Sequence, residues 1–300
     1  MKLAFSSVAC PQWDLATMVA RAKEYGYQGI ELRGLEGQMH LPVAPQLASN
    51  PLRVARLLRD TGIELTCLAT SCAFHMRDPR EVAENQQQTR EYIELAGRLG
   101  VRYVRVFGAE IPRARWLGNE RREVVLGRIG QALRELARYA AAHRVVVLIE
   151  NSGDFADSAS MWYLTDAANS QAVMCCWSPF AARCRGERPT TSIPRLGARI
   201  AQVHVTDAKF DGAYFEAYVP PGQGDVEWPR LVQLLKGIGY RGSLVVEWPK
   251  LWNPDLADAD RILPAAAKYL QGLVDESPVV MSAYKGDKNK PRQGFEFASR

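Results

Sequence analysis

Five ionisable residues stand where short, strongly apolar runs pause or end. They are Glu31 in Ile30-Glu31-Leu32, Arg105 in Val104-Arg105-Val106, Glu150 after Leu148-Ile149, His204 between Val203 and Val205, and Glu247 after Val245-Val246. A charge in such a place is costly to bury alone, so each requires an ionic partner, a metal or a substrate. Glu150 and Glu247 are the sharpest cases, because the runs before them are the most apolar. Glu31 has Arg33 and Arg105 available as partners, and Arg105 can equally be half of an ion pair at the edge of a core. A lone histidine is more often a hydrogen-bonded core residue than a ligand, but His204 falls in the same layer as two glutamates. His40 and His75 follow apolar runs and can reach the same end of a fold; His143 precedes one and belongs to the opposite end.

The elements that must position these residues follow from periodicity. Apolar, β-branched runs near 2–8, 28–32, 63–70, 101–107, 144–150, 172–177, 199–205 and 243–248 read as eight strands. Helical patterns separate them at 14–25, 51–61, 79–99, 120–143, 157–168, 189–197 and 227–238. Leu15, Met18, Val19 and Ala22 recur at helical spacing behind Asp14, a helix cap, and Leu231, Leu234, Leu235 and Ile238 do so behind Trp228-Pro229. Both helices run into a glycine, then a strand, then a glutamate, which makes residues 22–32 and 235–247 copies of one unit. Near-continuous apolar strands alternating with helices mean a parallel sheet covered on both faces, and eight such units close into an α/β (β/α)8 TIM barrel of one domain over residues 1–276. A doubly wound open sheet is the weaker alternative, since no Gly-x-Gly-x-x-Gly follows the first strand. Residues 277–300 read as a polar, disordered tail.

Composition limits the partners. With 47% hydrophobic and 24% charged residues the chain has the makeup of a soluble globular protein, and no apolar run reaches the ~18 residues of a membrane span. The tail holds five basic against two acidic residues, which leaves +2 of the chain's net +5 for residues 1–276, so no nucleic-acid footprint is present. Cys10, Cys67, Cys72, Cys175, Cys176 and Cys184 include no Cys-x-x-Cys pair and lie mostly in apolar runs, so they read as buried reduced thiols. With no signal-peptide core at the N-terminus, the expectation is a cytoplasmic protein that binds a small molecule and neither membrane nor nucleic acid, with homo-oligomer formation left open.

Four motifs in order, Leu148-Ile149-Glu150-Asn151, Val203-His204-Val205-Thr206-Asp207, the Gly222–Trp228 segment and the Gly239–Glu247 segment, make residues 1–275 resemble the sugar phosphate isomerase/epimerase family, the xylose-isomerase-like barrels. The resemblance implies a divalent metal (Mn, Mg, Co or Zn) held by a glutamate after the fifth strand, an aspartate after the sixth, a histidine on the seventh and a glutamate after the eighth. Glu150, His204 and Glu247 match three of these. The fourth place reads Trp177-Ser178-Pro179 where relatives tend to carry Trp-Asp-Pro, Ala181 stands where many have a substrate-touching histidine, and Thr206 replaces a lysine. A neutral hydroxyl does not replace a carboxylate toward a hard cation, so the metal site is expected to be degenerate and weak.

The implied chemistry is isomerisation or epimerisation of a sugar or sugar phosphate by metal-assisted proton transfer beside a carbonyl, with Glu150 and Glu247 as the catalytic pair. Arg105, His75, Ser178 and Arg183 are the expected substrate-binding residues. Arg105, Arg183 or Arg185 can also stabilise an enolate. Two alternatives share the fold: a polyol dehydratase or lyase, which adds a leaving group to the same enolate step, and a degenerate barrel that only binds a polyol. A DNA-repair endonuclease needs more histidine and aspartate ligands and a basic face.

Overall fold

In the computed structural model, which describes residues 1–114, 118–212 and 214–276, eight parallel strands close into a barrel. They are β1 Lys2–Ser6, β2 Gly29–Leu32, β3 Glu64–Ala73, β4 Tyr103–Phe107, β5 Val146–Glu150, β6 Val173–Trp177, β7 Ile200–Val205 and β8 Ser243–Val246. Closure is direct: Phe5 of β1 pairs with Val246 of β8 on one side and with Ile30 of β2 on the other. The eight expected strands are therefore all present, in order. The 277–300 tail lies outside the described residues.

The outer layer is helical, with α1 Leu15–Tyr25, α2 Pro51–Thr61, α3 Pro79–Leu99, α4 Arg122–Ala142, α5 Ser158–Ala168, α6 Pro179–Cys184, α7 Pro189–Leu196, α8 Trp228–Gly237 and α9 Ala259–Asp275. Local chemistry sets their starts. Asp14 accepts from the Thr17 amide at 2.8 Å, Asn50 from Arg53 at 3.0 Å and Asp78 from Arg80 at 2.8 Å, satisfying amides that a first helical turn leaves unpaired. Gly26 ends α1 at φ +82°, a left-handed conformation open to glycine at no steric cost. Leu15, Met18, Val19 and Ala22 are the buried stripe of α1, as their spacing requires.

Strand alternation then sorts side chains between two cores. Val147 and Ile149 of β5 pack outward with the helices, whereas Val146 and Leu148 point into the barrel beside Cys67, Cys176, Ala201, Tyr103 and Met174. That small apolar plug is the floor of the interior. By the same alternation Glu150, two residues beyond Leu148, stands above it, as does Arg105 above Tyr103.

Among the elements with no place in the expected order are the short α6, a hairpin and α9. The hairpin, Asp207–Asp211 with Tyr214–Val219, rises from the end of β7, and α9 closes the ring against β1. The hairpin escaped notice because six of its residues, Lys209, Asp211, Tyr214, Phe215, Glu216 and Ala217, are exposed, so it carries no alternation of buried and polar positions. All six cysteines are free, and Cys184 alone is exposed. Among the described residues no helix is long and apolar enough to cross a membrane.

Candidate functional site

The carboxyl ends of the strands gather Glu31, Arg105, Glu150, His204 and Glu247 into one cluster, in which all but the partly exposed Glu247 are buried. His204, fully buried on β7, is its centre. Its Nε2 lies 3.0 Å from Glu31 Oε2, and its Nδ1 lies 3.2 Å from Glu150 Oε1 and 3.5 Å from Glu247 Oε2. Arg105 Nε stands 3.0 Å from Glu150 Oε2, while its Nη1 donates to the Thr70 carbonyl at 3.0 Å and its guanidinium covers the Phe107 ring at 4.0 Å. Register explains the meeting: Arg105 pairs with Leu148, two residues before Glu150, and His204 pairs with Val245, two before Glu247.

Charges this close determine one another's protonation. Burial alone would raise the Glu31 carboxyl, but the His204 ring and then Arg105 outweigh it and hold Glu31 down to about 2. Glu150 is lowered by the same balance of burial against His204 and Arg105. Glu247 goes the other way, pushed up by burial and by Glu150 and Glu31 despite His204. Burial disfavours the imidazolium of His204, yet Cys176 and the three glutamates together raise it well above the ordinary value. The two catalytic-candidate carboxylates are thus differentiated by environment, Glu150 toward the anion and Glu247 toward the acid.

Backbone devices hold the cluster. The Glu247 amide donates to Val205 at 3.0 Å, carrying the ladder one residue past β8, and the Thr206 hydroxyl donates to the Glu247 carbonyl at 3.1 Å. Asp207 accepts from the amides of Ala208, Gly222, Gly224 and Val226 at 2.8–3.2 Å and so folds the 222–226 loop onto β7. Gly224 is required there, since a Cβ would fall 2.0 Å from Asp207 Oδ1. Asn151 joins β5 to β6, accepting from the Ser178 amide at 2.6 Å and donating to its carbonyl at 2.9 Å.

The remaining sequence candidates lie around this centre. Ser178 is buried at the start of α6, where its hydroxyl accepts from the Ala181 amide at 3.3 Å. Arg183 donates to the Gly212 carbonyl at 3.0 Å and lies 4.7 Å from the Phe210 ring centroid, against the hairpin. His75 is half-buried just past β3, near Arg128 and Glu110, and its carbonyl accepts from Arg128 at 2.6 Å. Among the described residues no hydrogen bond or ion pair links Ser178, Arg183 or His75 to the His204 cluster. Arg185 is tied to Asp154 at 2.6 Å, and His40 to Glu91 at 2.9 Å.

Sequence reasoning passed over two residues inside the cluster. Gln202 donates to Glu31 at 2.6 Å and lies 3.3 Å from His204 Nε2, and Cys176 Sγ is 3.8 Å from the Gln202 amide nitrogen. Both were marked by alternation: Gln202 shares a strand face with His204, and Cys176 with Ser178. Two donor sets lie within 4.8 Å of mutual separation, Glu31–His204–Glu247 and Glu150–Cys176–His204. Glu31 Oε1 is buried and finds no hydrogen-bond partner among the described residues. Carboxylate and imidazole donors in this number fit a divalent cation, with zinc favoured where the thiol joins.

A closed (β/α)8 barrel carrying its acid–imidazole cluster at the carboxyl ends of the strands has the form of the barrels that act at that rim. The chain belongs to the xylose isomerase-like TIM barrel family, whose model matches residues 19–272. No curated protein matches the sequence. Among solved structures, the IOLI protein with a bound zinc atom is 20% identical at TM-score 0.77, covering 91% of this chain and 98% of that one. D-psicose 3-epimerase with D-tagatose, from Clostridium cellulolyticum H10, is 16% identical at TM-score 0.72, over 91% and 99%. The probable 3-DHS dehydratase AsbF from Bacillus anthracis is 17% identical at TM-score 0.73, over 90% and 99%. At these identities the likeness is one of fold.

Proposed function

We propose that this protein is a sugar or sugar-phosphate isomerase or epimerase that moves a proton on the carbon beside a carbonyl, with Glu150 and Glu247 as its acid–base pair. The supporting observation is that both carboxylates converge on His204 Nδ1, at 3.2 and 3.5 Å, at the active rim of a xylose isomerase-like barrel. Glu150 and Glu247, which fall in two different close donor sets that share His204, would hold the divalent metal together with His204, and when bound it would polarise the substrate's carbonyl and hydroxyl oxygens. The IOLI and D-psicose 3-epimerase folds, solved with zinc and with D-tagatose, agree with that reading.

The chain's own residues account for the proton. One carboxylate takes the proton from carbon, the C–H electron pair moves into the enolate, and a carboxylic acid returns a proton to carbon from the other side or to the neighbouring carbon. Arg105, fixed by Thr70 and Glu150, supplies a permanent positive charge toward the enolate oxygen. Buried Glu31 and Gln202 orient the His204 ring from its far nitrogen. His75, Ser178 and Arg183 are assigned as outer substrate contacts; the Ser178 oxygen accepts from Ala181 and keeps its own O–H to donate.

Metal content of protein purified without chelator is the first measurement. Solvent-deuterium incorporation into a panel of ketoses and aldoses, with added manganese, cobalt, magnesium or zinc, follows. Exchange at the carbon beside the carbonyl, lost in Glu150→Gln and Glu247→Gln, is expected. Sugar binding without exchange under any metal overturns the isomerase reading in favour of a barrel that only binds. Loss of water without epimer formation points to the dehydratase, whose fold AsbF shares.

A further inference from the structure

We propose that Arg33 is a carboxylate-binding residue at the barrel mouth and that the substrate is a sugar acid. Arg33 follows directly on β2. Its backbone amide donates to the Ser7 hydroxyl at 2.9 Å, and that hydroxyl donates to the Gly34 carbonyl at 2.8 Å, so the turn that presents the side chain is pinned to the end of β1. The residue is 7% exposed. One arm of its guanidinium, Nη2, donates to the Ser71 hydroxyl at 2.7 Å, and Ser71 is itself exposed at the end of β3. The other arm, Nη1, is buried and has no hydrogen-bond partner among the described residues. No carboxylate pairs with it there either, although Glu31 and Glu247 are near enough to act on its charge.

A buried cationic donor left unpaired carries a desolvation cost that is hard to account for unless a ligand completes it. The setting selects the ligand. The indole of Trp252, from the loop after β8, stands 5.8 Å from the guanidinium carbon and is 55% exposed, so it covers Arg33 from the solvent side. Arg105 Nε also makes no hydrogen bond, but it is ion-paired with Glu150 at 3.0 Å and its Nη1 donates to Thr70, whereas the Nη1 of Arg33 has neither an ion-pair nor a hydrogen-bond partner among the described residues. One guanidinium edge matches the two oxygens of a planar carboxylate. Formal charge agrees: with a dication seated and His204 neutral as its ligand, the carboxylates of Glu31, Glu150 and Glu247, the guanidinium groups of Arg33 and Arg105 and the metal sum to +1. One carboxylate neutralises that charge, whereas a phosphate dianion overshoots it beside three glutamates.

This assignment rests on the isomerase reading and narrows its substrate. Calorimetric titrations of the full chain, metal-free and manganese-loaded, with D-gluconate, the neutral polyol D-glucitol and D-glucose 6-phosphate test it. Tryptophan emission is recorded in parallel. Gluconate is expected to bind at least about tenfold more tightly than glucitol, the scale of one lost charged hydrogen bond. Arg33→Gln should abolish that preference, and Arg33→Lys should retain part of it. The emission change on binding should disappear in Trp252→Phe. Far-ultraviolet circular dichroism of each variant checks that it is folded. Equal binding of gluconate and glucitol, no binding of either, or a preference that survives Arg33→Gln overturns the proposal. A phosphate-ester preference that depends on Arg33 overturns the carboxylate assignment. Metal-dependent deuterium exchange on neutral sugars without acid preference sinks this inference alone and leaves the isomerase reading standing.

Discussion

Replacing Arg105 by methionine removes one charge and nearly conserves side-chain volume, so it isolates what the Arg105–Glu150 pair contributes. The pair is buried, with side-chain exposures of 1% and 8%, and its nitrogen and oxygen are 3.0 Å apart. At an effective dielectric of about 20 the gross attraction at that distance is about 5–6 kcal/mol. In Arg105→Met, Glu150 keeps only His204 as a counter-charge, and the Thr70 carbonyl loses its donor. Removing one partner of a buried pair typically costs about 3–5 kcal/mol, which in a domain of this size lowers the melting temperature by about 6–20 °C. Equilibrium urea unfolding followed by circular dichroism reads the loss directly. The double variant Arg105→Met/Glu150→Gln should recover about half of it, because the stranded charge is gone, so it should cost at least about 2 kcal/mol less than the two single changes summed. Added zinc or manganese should restore more stability to Arg105→Met than it adds to the native protein, since a dication replaces the missing positive charge. A cost below about 1 kcal/mol, or additive single changes, would refute the reasoning that this pair holds the two strand ends together.

Ser178→Asp should tighten divalent-metal binding about tenfold or more while keeping the fold, because aspartate caps α6 as well as serine does and brings a hard oxygen to the end of β6. Calorimetric titration of both proteins with manganese decides it, and equal affinities defeat it. Asp157 caps α5 through the Ser160 amide at 2.8 Å and pairs with Arg122. Burial pushes its carboxyl upward, but Ser160 and Arg122 outweigh that and lower it. A lowered folded-state value means that the charge stabilises the fold above the ordinary carboxylate range and that this contribution is lost as pH falls through the folded value. Asp157→Asn keeps the cap and removes the charge, so it should cost about 0.5–1 kcal/mol at pH 7 and progressively less in acid. A difference independent of pH would show that the charge is not what matters.

The elements were legible in the sequence because each is fixed by local chemistry. Helix α3 begins at Pro79 behind Asp78 and runs to Leu99 ahead of Gly100, the span its periodicity prescribes, and every barrel strand coincides with an apolar run that only a doubly covered sheet can hide. Charged residues within or directly after those runs marked Glu150, His204 and Glu247 as members of one rim. What the chain order does not contain is distance across a closed barrel. Glu31 and His204 are 173 residues apart, and only ring closure brings their side chains to 3.0 Å, which turns Glu31 from a candidate partner of Arg33 or Arg105 into a partner of the central imidazole. The same closure commits Arg105 to Glu150 and leaves the Nη1 of Arg33 without a partner among the described residues, although either arginine could have paired with Glu31 on sequence grounds. Local propensity sets which residues point inward; which of them meet, and hence their charge states, depends on strand register and barrel closure, which no stretch of sequence encodes by itself.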